Sequence, residues 1–288
     1  MIVGRQEFDT ENRCYIMGIL NVTPDSFSDG GKWNDFDAAL GRAEYMIGAG
    51  ADIIDIGGES SRPGSVGVSL HEEIDRVMPV IEALGARFDV PLSIDTCKSA
   101  VAEAAVGAGV VLVNDIWGLK RDPDIAGVIA RSGAACCLMH NRDAISYVDF
   151  IRDMLDDLIA SASKAEAAGV PADKIILDPG IGFAKTYEMN LEAINRIDAV
   201  KGLGYPVMLG VSRKSVIGMT LGLPEAERVE GSLAAAIVGV VRGCSFLRVH
   251  DVMETKRAVM MAEAILGARG QGLRAKCQEF GDGGCNNG

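Results

Sequence analysis

The segment YIMGILNVTPD, residues 15–25, has the pattern of a buried strand that ends in a polar loop. Residues 15–20 form a short apolar run, and Asn21 begins a stretch of turn-forming residues. A doubly wound, dinucleotide-binding sheet would place a GxGxxG loop directly after its first strand. Because this loop holds no such fingerprint, the segment favours a different α/β architecture.

The same alternation continues along the chain, with short apolar runs separated by segments in which apolar residues recur at i, i+3 and i+4. The strand candidates are residues 15–20, 52–56, 91–94, 110–113, 134–139, 174–177, 206–211 and 245–249. The helix candidates are about 36–49, 70–87, 98–108, 122–132, 147–168, 187–200, 225–242 and 251–268. Strands that alternate with helices pair in parallel, and eight such units close most simply into a (β/α)8 TIM barrel. A doubly wound open sheet is the alternative.

The length of 288 residues suits a single barrel of about 250 residues with short extensions. We expect residues 1–14 to form a hairpin that caps the bottom of the barrel, and residues 15–268 to form the barrel itself. Residues 269–288 are rich in Gly and Asn and lack periodicity, so they predict a flexible C-terminal tail. Ser69 and Asp251 are predicted N-caps of two helices.

Composition excludes several classes of protein. Lys and Arg number 28 against 40 Asp and Glu, and this net charge of −12 argues against a nucleic-acid partner. The seven cysteines are odd in number and lack CxxC spacing, which indicates reduced thiols in a cytoplasmic protein. No uncharged apolar run reaches 18 residues, so no membrane partner is expected.

Polar residues gather just after the predicted strands, at the barrel face where TIM-barrel chemistry occurs. Any one of them could be a helix cap or a turn former, but carboxylates, an amide and cations would converge on one face. Side chains alternate along a strand, so Ser212 and Lys214 share one side and Arg213 takes the other, where we expect a structural ion pair. Arg248 and His250 likewise share a side.

Two clusters follow from this placement. Asp95, Asn114, Asp178 and Lys214 combine acceptors and donors suited to the edge of a flat heterocycle such as a pterin or purine. Arg248, His250 and Asn21 suit a phosphate group, because Arg binds phosphate through two donors and an amide oxygen can ligate Mg²⁺. The sequence therefore predicts a heterocyclic ligand that carries a diphosphate.

Other chemistries find no support in the sequence. His71, His140 and His250 show no HxH or HExxH spacing, so a zinc site is not expected. There is no GxSxG elbow and no GxxxxGK[ST] loop. Nothing points to a covalent intermediate.

Five segments in order resemble the signatures of the dihydropteroate synthase family. They are MGILNVTPDSFSDGG at 17–31, DIGGESSRPG at 55–64, DPGIGF at 178–183, SRKS at 212–215 and RVHD at 248–251. The resemblance covers roughly residues 15–265. It implies condensation of 6-hydroxymethyl-7,8-dihydropterin diphosphate with 4-aminobenzoate, which gives 7,8-dihydropteroate and diphosphate in folate biosynthesis, by a dissociative substitution.

The resemblance also implies residue roles. The pterin would contact Asp95, Asn114, Ile116, Met139, Asp178, Phe183 and Lys214. The diphosphate would contact Asn21, through Mg²⁺, together with Arg248 and His250. The 4-aminobenzoate pocket would comprise Ser61, Arg62, Pro63, Phe183, Ser212 and Lys214, and the loops that close the site would contribute Phe27, Asp29 and Arg62. Ser61 and Val216 stand where the family more often has Thr and Phe, beside the pocket that sulfonamides share.

Two alternatives remain at this stage. A methyltetrahydrofolate-dependent methyltransferase shares the pterin-binding barrel but would not be expected to carry SRK at 212–214 with RVH at 248–250. An inactive pterin-binding paralogue would be expected to lose Asn21, Arg62 or Lys214, and all three are present. Apolar residues at 234–238 and 259–262 fit either ordinary packing on the barrel or a homodimer through the last two helices, and the family resemblance implies the homodimer.

Overall fold

A computed structural model of the chain describes residues 1–23, 31–59 and 67–267, with the side chains of 31–35 left out. A short hairpin, β1 (Ile2–Val3) and β2 (Gln6–Glu7), precedes a sheet of eight parallel strands. The eight are β3 (Tyr15–Asn21), β4 (Ile53–Gly57), β5 (Leu92–Asp95), β6 (Leu112–Asp115), β7 (Ala135–Met139), β8 (Ile175–Asp178), β9 (Met208–Leu209) and β10 (Phe246–Val249). Their order is β8-β7-β6-β5-β4-β3-β10-β9, and a parallel bridge from Leu177 to Val207 joins the two ends. The predicted TIM barrel is confirmed.

The helices of the described residues surround this barrel. They are α1 (Gly31–Gly48), α2 (Leu70–Arg87), α3 (Ser99–Gly107), α4 (Ile125–Ser132), α5 (Phe150–Ala167), α6 (Tyr187–Asn195), α7 (Ile197–Lys201), α8 (Ser215–Leu221), α9 (Val229–Val241) and α10 (Val252–Leu266). The single helix predicted over 187–200 is wrong in detail, because the backbone leaves helical geometry at Arg196. The sequence analysis missed α8, since its seven residues include a glycine and three β-branched side chains and are too short to show a helical period.

The predicted N-terminal hairpin is present and closes the bottom of the barrel. Val3 and Phe8 are fully buried and pack with the inward-facing residues at the lower ends of the strands. The Phe8 ring centroid lies 4.7 Å from that of Tyr15 and 5.7 Å from that of Phe246. The barrel is therefore a packed core at this end. Residues 268–288, which hold the predicted tail, lie outside the described residues.

The register of the strands aligns polar residues at the opposite end. Gly57 pairs with Asp95, and Asp95 pairs with Asn114 on the next strand. Met139 pairs with Asp178 on the far side of the barrel. Because residues in register on neighbouring parallel strands face the same side, these groups meet inside the upper barrel.

The two predicted caps differ in outcome. The Ser69 side chain accepts a hydrogen bond of 3.3 Å from the backbone N–H of Glu72, as predicted for α2. Asp251 stands at the start of α10 but makes no capping bond, because its carboxylate is engaged by Arg213. Within the described ranges, no helix is both long and apolar enough to span a bilayer.

We expect Phe8→Ala to destabilise the barrel without altering the upper face. Removal of a fully buried ring costs about 3–5 kcal/mol of unfolding free energy. Urea unfolding followed by circular dichroism measures this loss, with Phe88→Ala as the control because Phe88 is only half-buried. Equal losses for the two variants would contradict the packing role of the hairpin.

Candidate active site

A fully buried carboxylate, Asp55 on β4, organises the floor of the upper barrel. Its Oδ1 accepts a hydrogen bond of 2.6 Å from Ser93 Oγ, and its Oδ2 accepts one of 3.1 Å from Asn114 Nδ2. The Arg248 Nε atom donates to the same Oδ2 at 2.6 Å. Asp55 was not among the predicted site residues. An acidic residue at an inward position of a strand was the available signal, because a buried charge needs partners.

Arg248 links this floor to a second carboxylate. Its Nη2 donates to Asp95 Oδ2 at 2.6 Å. Burial alone lowers the pKa of Arg248, but the carboxylates of Asp55 and Asp95 outweigh that effect and raise it. The guanidinium therefore stays charged and joins the cluster predicted to hold a heterocycle. Its predicted contact with a diphosphate stays a prediction.

Four polar atoms above the floor have no hydrogen-bond partner among the described residues. The structure brings the four residues predicted to bind a heterocycle to one face of the barrel. The unpaired atoms are one from each of these residues: Asp95 Oδ1, Asn114 Oδ1, Asp178 Oδ2 and Lys214 Nζ. None of the four is among the fully buried atoms without a partner, so each is open to the space above the floor, where a ligand can reach it. A set of unpaired acceptors beside an unpaired ammonium is thus suited to bind a ligand with N–H and carbonyl groups on one edge.

Lys214 lies against an aromatic ring and within reach of two carboxylates. Its Nζ is 4.3 Å from the centroid of Phe183. Burial and the charge of Arg248 lower the pKa of Lys214 to about 8, although Asp178 and Asp95 oppose the shift. Burial raises the pKa of Asp178, while the Gly180 N–H, which donates to Asp178 Oδ1 at 2.7 Å, partly offsets this. The balance of charge in the pocket is therefore sensitive to any bound ligand.

His250 is a neutral donor at this face. Its backbone N–H donates to Ser212 Oγ at 3.2 Å, and its Nδ1 lies 3.1 Å from the same oxygen. The Ser212 hydroxyl can then donate to Nδ1, which leaves the imidazole proton on Nε2. Burial and the charge of Arg248 lower the pKa of His250 to about 3. His250 therefore offers an N–H to a ligand without adding a positive charge.

The structure confirms the predicted ion pair of Arg213. Its Nε and Nη2 donate to the two Asp251 carboxylate oxygens at 3.0 and 2.5 Å. Arg213 has φ of +58°, a left-handed conformation that costs about 1 kcal/mol for a residue with a side chain. The ion pair and a hydrogen bond of 2.9 Å from the Arg213 N–H to Ser232 Oγ hold this turn. The turn places Lys214 inside the barrel.

The remaining predicted residues fall into two groups. Asn21 is half-buried at the end of β3, Ile116 is half-buried just after β6, and Met139 is buried at the end of β7. The other group lies outside the described residues and comprises Phe27, Asp29, Ser61, Arg62 and Pro63.

The residues that flank the segment 60–66 on either side contact the same lysine, Lys98. The Lys98 Nζ atom donates to Glu59 Oε2 at 2.6 Å and to the Val68 carbonyl at 2.8 Å. It also donates to the buried Glu73 Oε2 at 2.5 Å. The chain therefore enters and leaves this segment at fixed points.

A family model described as "Pterin binding enzyme" matches residues 17–250. A dihydropteroate synthase of Clostridium beijerinckii is 55% identical over 267 residues, which cover 92% of this chain and 99% of that protein. The chain belongs to the dihydropteroate synthase family.

Solved structures of other dihydropteroate synthases have the same fold. The enzyme from Clostridium difficile, determined in the presence of pteroic acid, matches with a TM-score of 0.88 and 49% identity, over 90% of this chain and 99% of that one. The enzyme from Xanthomonas albilineans, determined with 4-aminobenzoic acid, matches with a TM-score of 0.86 and 41% identity, over 88% of this chain and 94% of that one. Dihydropteroate synthases are transferases of a pterinylmethyl group, and the predicted enzyme class is confirmed.

Asp95 should give the stability a distinct pH dependence. Burial raises its pKa from 3.8 to about 7, because Arg248 is shared with Asp55 and offsets only part of the effect. Between these values the folded chain holds a proton that the unfolded chain has released, so this contribution to stability is present at low pH and is lost as the pH rises through about 7.

Asp95→Asn removes that titration. We expect the unfolding free energy of the wild type, minus that of Asp95→Asn, to fall by about 1.4 kcal/mol per pH unit between about pH 5 and 7. Urea titrations at several pH values measure the difference. A difference that stays constant across this range would contradict the assignment.

Proposed function

We propose that this chain condenses 6-hydroxymethyl-7,8-dihydropterin diphosphate with 4-aminobenzoate to give 7,8-dihydropteroate and diphosphate in the cytoplasm. The observation that carries the proposal is the set of unpaired atoms on Asp95, Asn114, Asp178 and Lys214, within a chain of this family. Relatives determined with pteroic acid and with 4-aminobenzoic acid support the choice of substrates.

The pterin would lie on the floor made by Asp55 and Arg248. Its ring N–H and amino groups would donate to carboxylate and amide oxygens, and Lys214 Nζ would donate to a ring acceptor. Apolar side chains would pack on its faces. The proposed pterin contacts are Asp95, Asn114, Ile116, Met139, Asp178, Phe183 and Lys214.

The diphosphate would bind at the rim, beside Asn21, Arg248 and His250. The neutral His250 Nε2–H donates to a phosphate oxygen, and the Arg248 donors not used by Asp55 and Asp95 supply positive charge. The carboxylates of Asp55 and Asp95 raise the pKa of Arg248, so its guanidinium stays charged while the diphosphate binds and leaves.

Mg²⁺ fits this arrangement as an ion that the protein and the diphosphate of the substrate would bind together. No group of three or more His, Cys, Asp or Glu side chains in the described ranges could hold a metal. Mg²⁺ commonly binds through substrate phosphates with only one or two protein oxygens, and the Asn21 amide oxygen has no partner among the described residues. When bound, Mg²⁺ would neutralise charge that develops on the departing diphosphate.

The aminobenzoate would lie above the pterin, against Phe183, Ser212 and the stem of Lys214. Ser61, Arg62 and Pro63 complete this proposed pocket, which sulfonamides would share. The nucleophile is an aromatic amine that is already neutral at physiological pH, so no dedicated base is needed.

The carboxylates favour a dissociative substitution. The C–O bond to the diphosphate breaks first, and the positive charge on the methylene delocalises into the dihydropterin ring. The free oxygens of Asp95 and Asp178 lie above the floor, next to the proposed pterin ring, and stabilise that charge. The amine then attacks the methylene carbon and loses a proton to solvent.

Activity of the purified protein tests the proposal. With dihydropterin diphosphate, 4-aminobenzoate and Mg²⁺, we expect chromatography to detect dihydropteroate, and we expect EDTA to abolish its formation. Lys214→Ala should lower kcat/KM by about 100-fold or more, because an electrostatic contact to the reacting system is lost.

Lys174→Ala is the matched control, because Lys174 directly precedes β8, at the lower end of the barrel, whereas Lys214 lies at the upper end. Absence of dihydropteroate with intact pterin binding would move the chain to the methyltransferase or to the inactive-paralogue alternative.

A homodimer through α9 and α10 is part of the proposal. Two adjacent stripes of apolar side chains are exposed there, with Val241 at 59%, Met261 at 61% and Ile265 at 72% exposure. Contiguous apolar surface of this kind marks an interface in proteins.

Aspartate in these stripes should produce a monomer. We expect light scattering coupled to size exclusion to give the mass of a dimer for the wild type and of a monomer for the double variant Val241→Asp, Met261→Asp. Ile159→Asp on α5, a comparably exposed site, is the control. A wild-type protein that elutes with the mass of one chain would contradict the dimer.

A further inference from the structure

Lys185 is a buried lysine with no role in the chemistry described above. It lies just beyond β8, and only 8% of its surface is exposed. Burial lowers its pKa to about 7, against the opposing charge of Asp178. A lysine in such a place is costly to bury, so the contacts of its ammonium group are informative.

The ammonium of Lys185 has three hydrogens and three acceptors. Its Nζ lies 2.9 Å from His140 Nδ1, and it donates to the carbonyl oxygens of Gly180 and Phe183 at 2.9 and 3.0 Å. Burial and the charge of Lys185 lower the pKa of His140 to about 3, so the imidazole is neutral and can accept at Nδ1. The His140 Nε2 atom lies 3.2 Å from Asp157 Oδ2 but makes no hydrogen bond with it.

These acceptors come from two different walls of the pocket. His140 follows β7, and Gly180 and Phe183 belong to the loop between β8 and α6. A β-carbon on Gly180 would come within 2.0 Å of the His140 carbonyl oxygen, so the walls are in direct contact. Lys185 therefore ties one wall to the other from behind.

The loop that Lys185 holds carries one proposed pterin contact, Phe183, and orients a second, Asp178, at the end of β8. The Gly180 N–H donates to Asp178 Oδ1 and fixes the carboxylate so that Oδ2 faces the cavity. The Phe183 ring packs under Lys214 Nζ. A displacement of the Gly180 and Phe183 carbonyls would thus move the carboxylate, the ring and the ammonium together.

We propose that Lys185 is a positioning residue for the pterin pocket. By donating to His140, Gly180 and Phe183, it sets the orientation of the Asp178 carboxylate and of the Phe183 ring before the pterin binds. The inference rests on the proposed function in one respect, which is that the ligand on these groups is a pterin.

Lys185→Met tests the proposal, because it keeps an unbranched side chain that is one atom shorter and removes all three donors. We expect the Kd for pteroic acid, measured by calorimetric titration of the full-length protein, to rise about tenfold or more through the misplaced contacts. We also expect KM for dihydropterin diphosphate to rise under the assay conditions used for the wild type. The midpoint of thermal unfolding then checks that Lys185→Met remains folded at the assay temperature.

Lys174→Met is the matched control. Lys174 also donates to a glycine carbonyl, that of Gly133 at 2.6 Å, but at the lower end of β8. We expect its Kd for pteroic acid to equal that of the wild type. An equal loss in both variants would overturn the proposal, and so would a folded Lys185→Met that binds pteroic acid as tightly as the wild type.

His140→Leu keeps the proposal testable if Lys185→Met does not fold. It removes one of the three acceptors, so we expect an increase in Kd of about threefold, smaller than that for Lys185→Met. No change in a folded His140→Leu would overturn the proposal. A wild type that binds pteroic acid but forms no dihydropteroate would refute the proposed reaction alone, whereas a weaker Lys185→Met would still support the positioning role.

Discussion

The upper barrel depends on one buried guanidinium held between two carboxylates. Arg248 from β10 crosses the barrel to Asp55 on β4 and Asp95 on β5. Each of these groups would be strongly destabilising if buried alone, because desolvation of an isolated charge costs several kcal/mol. Together they form a rigid polar floor, and every other polar group of the site is arranged above it.

The floor also determines the charge that a ligand meets. Among the described residues, three carboxyl groups and two cationic side chains face the pocket, and His250 remains neutral because burial lowers its pKa. Asp95 and Lys214 have pKa values of about 7 and about 8, close to physiological pH. A pocket of this kind can adjust its protonation to the ligand without moving its backbone.

Sequence periodicity predicted all eight barrel strands, because each is a short apolar run between turn-forming residues. Helix α8 escaped prediction, and the role of Asp251 was misjudged because its partner, Arg213, lies 38 residues away in the chain. Polar residues after strands were sufficient to bring Asp95, Asn114, Asp178 and Lys214 together on one face. Asp55 was missed because its partners lie on other strands. Lys185 was missed because His140, its partner on the other wall, lies 45 residues away in the chain.

The closed lower end of the barrel has a consequence for the order in which ligands enter and leave the pocket. Val3 and Phe8 fill the space beneath the strands, so within the described residues the floor is closed from below and a molecule reaches it from the upper rim. Whatever binds deepest must then enter first and leave last. The shape of the pocket, which is open at its upper rim and closed below, therefore determines the order in which the ligands bind, whatever their relative affinities.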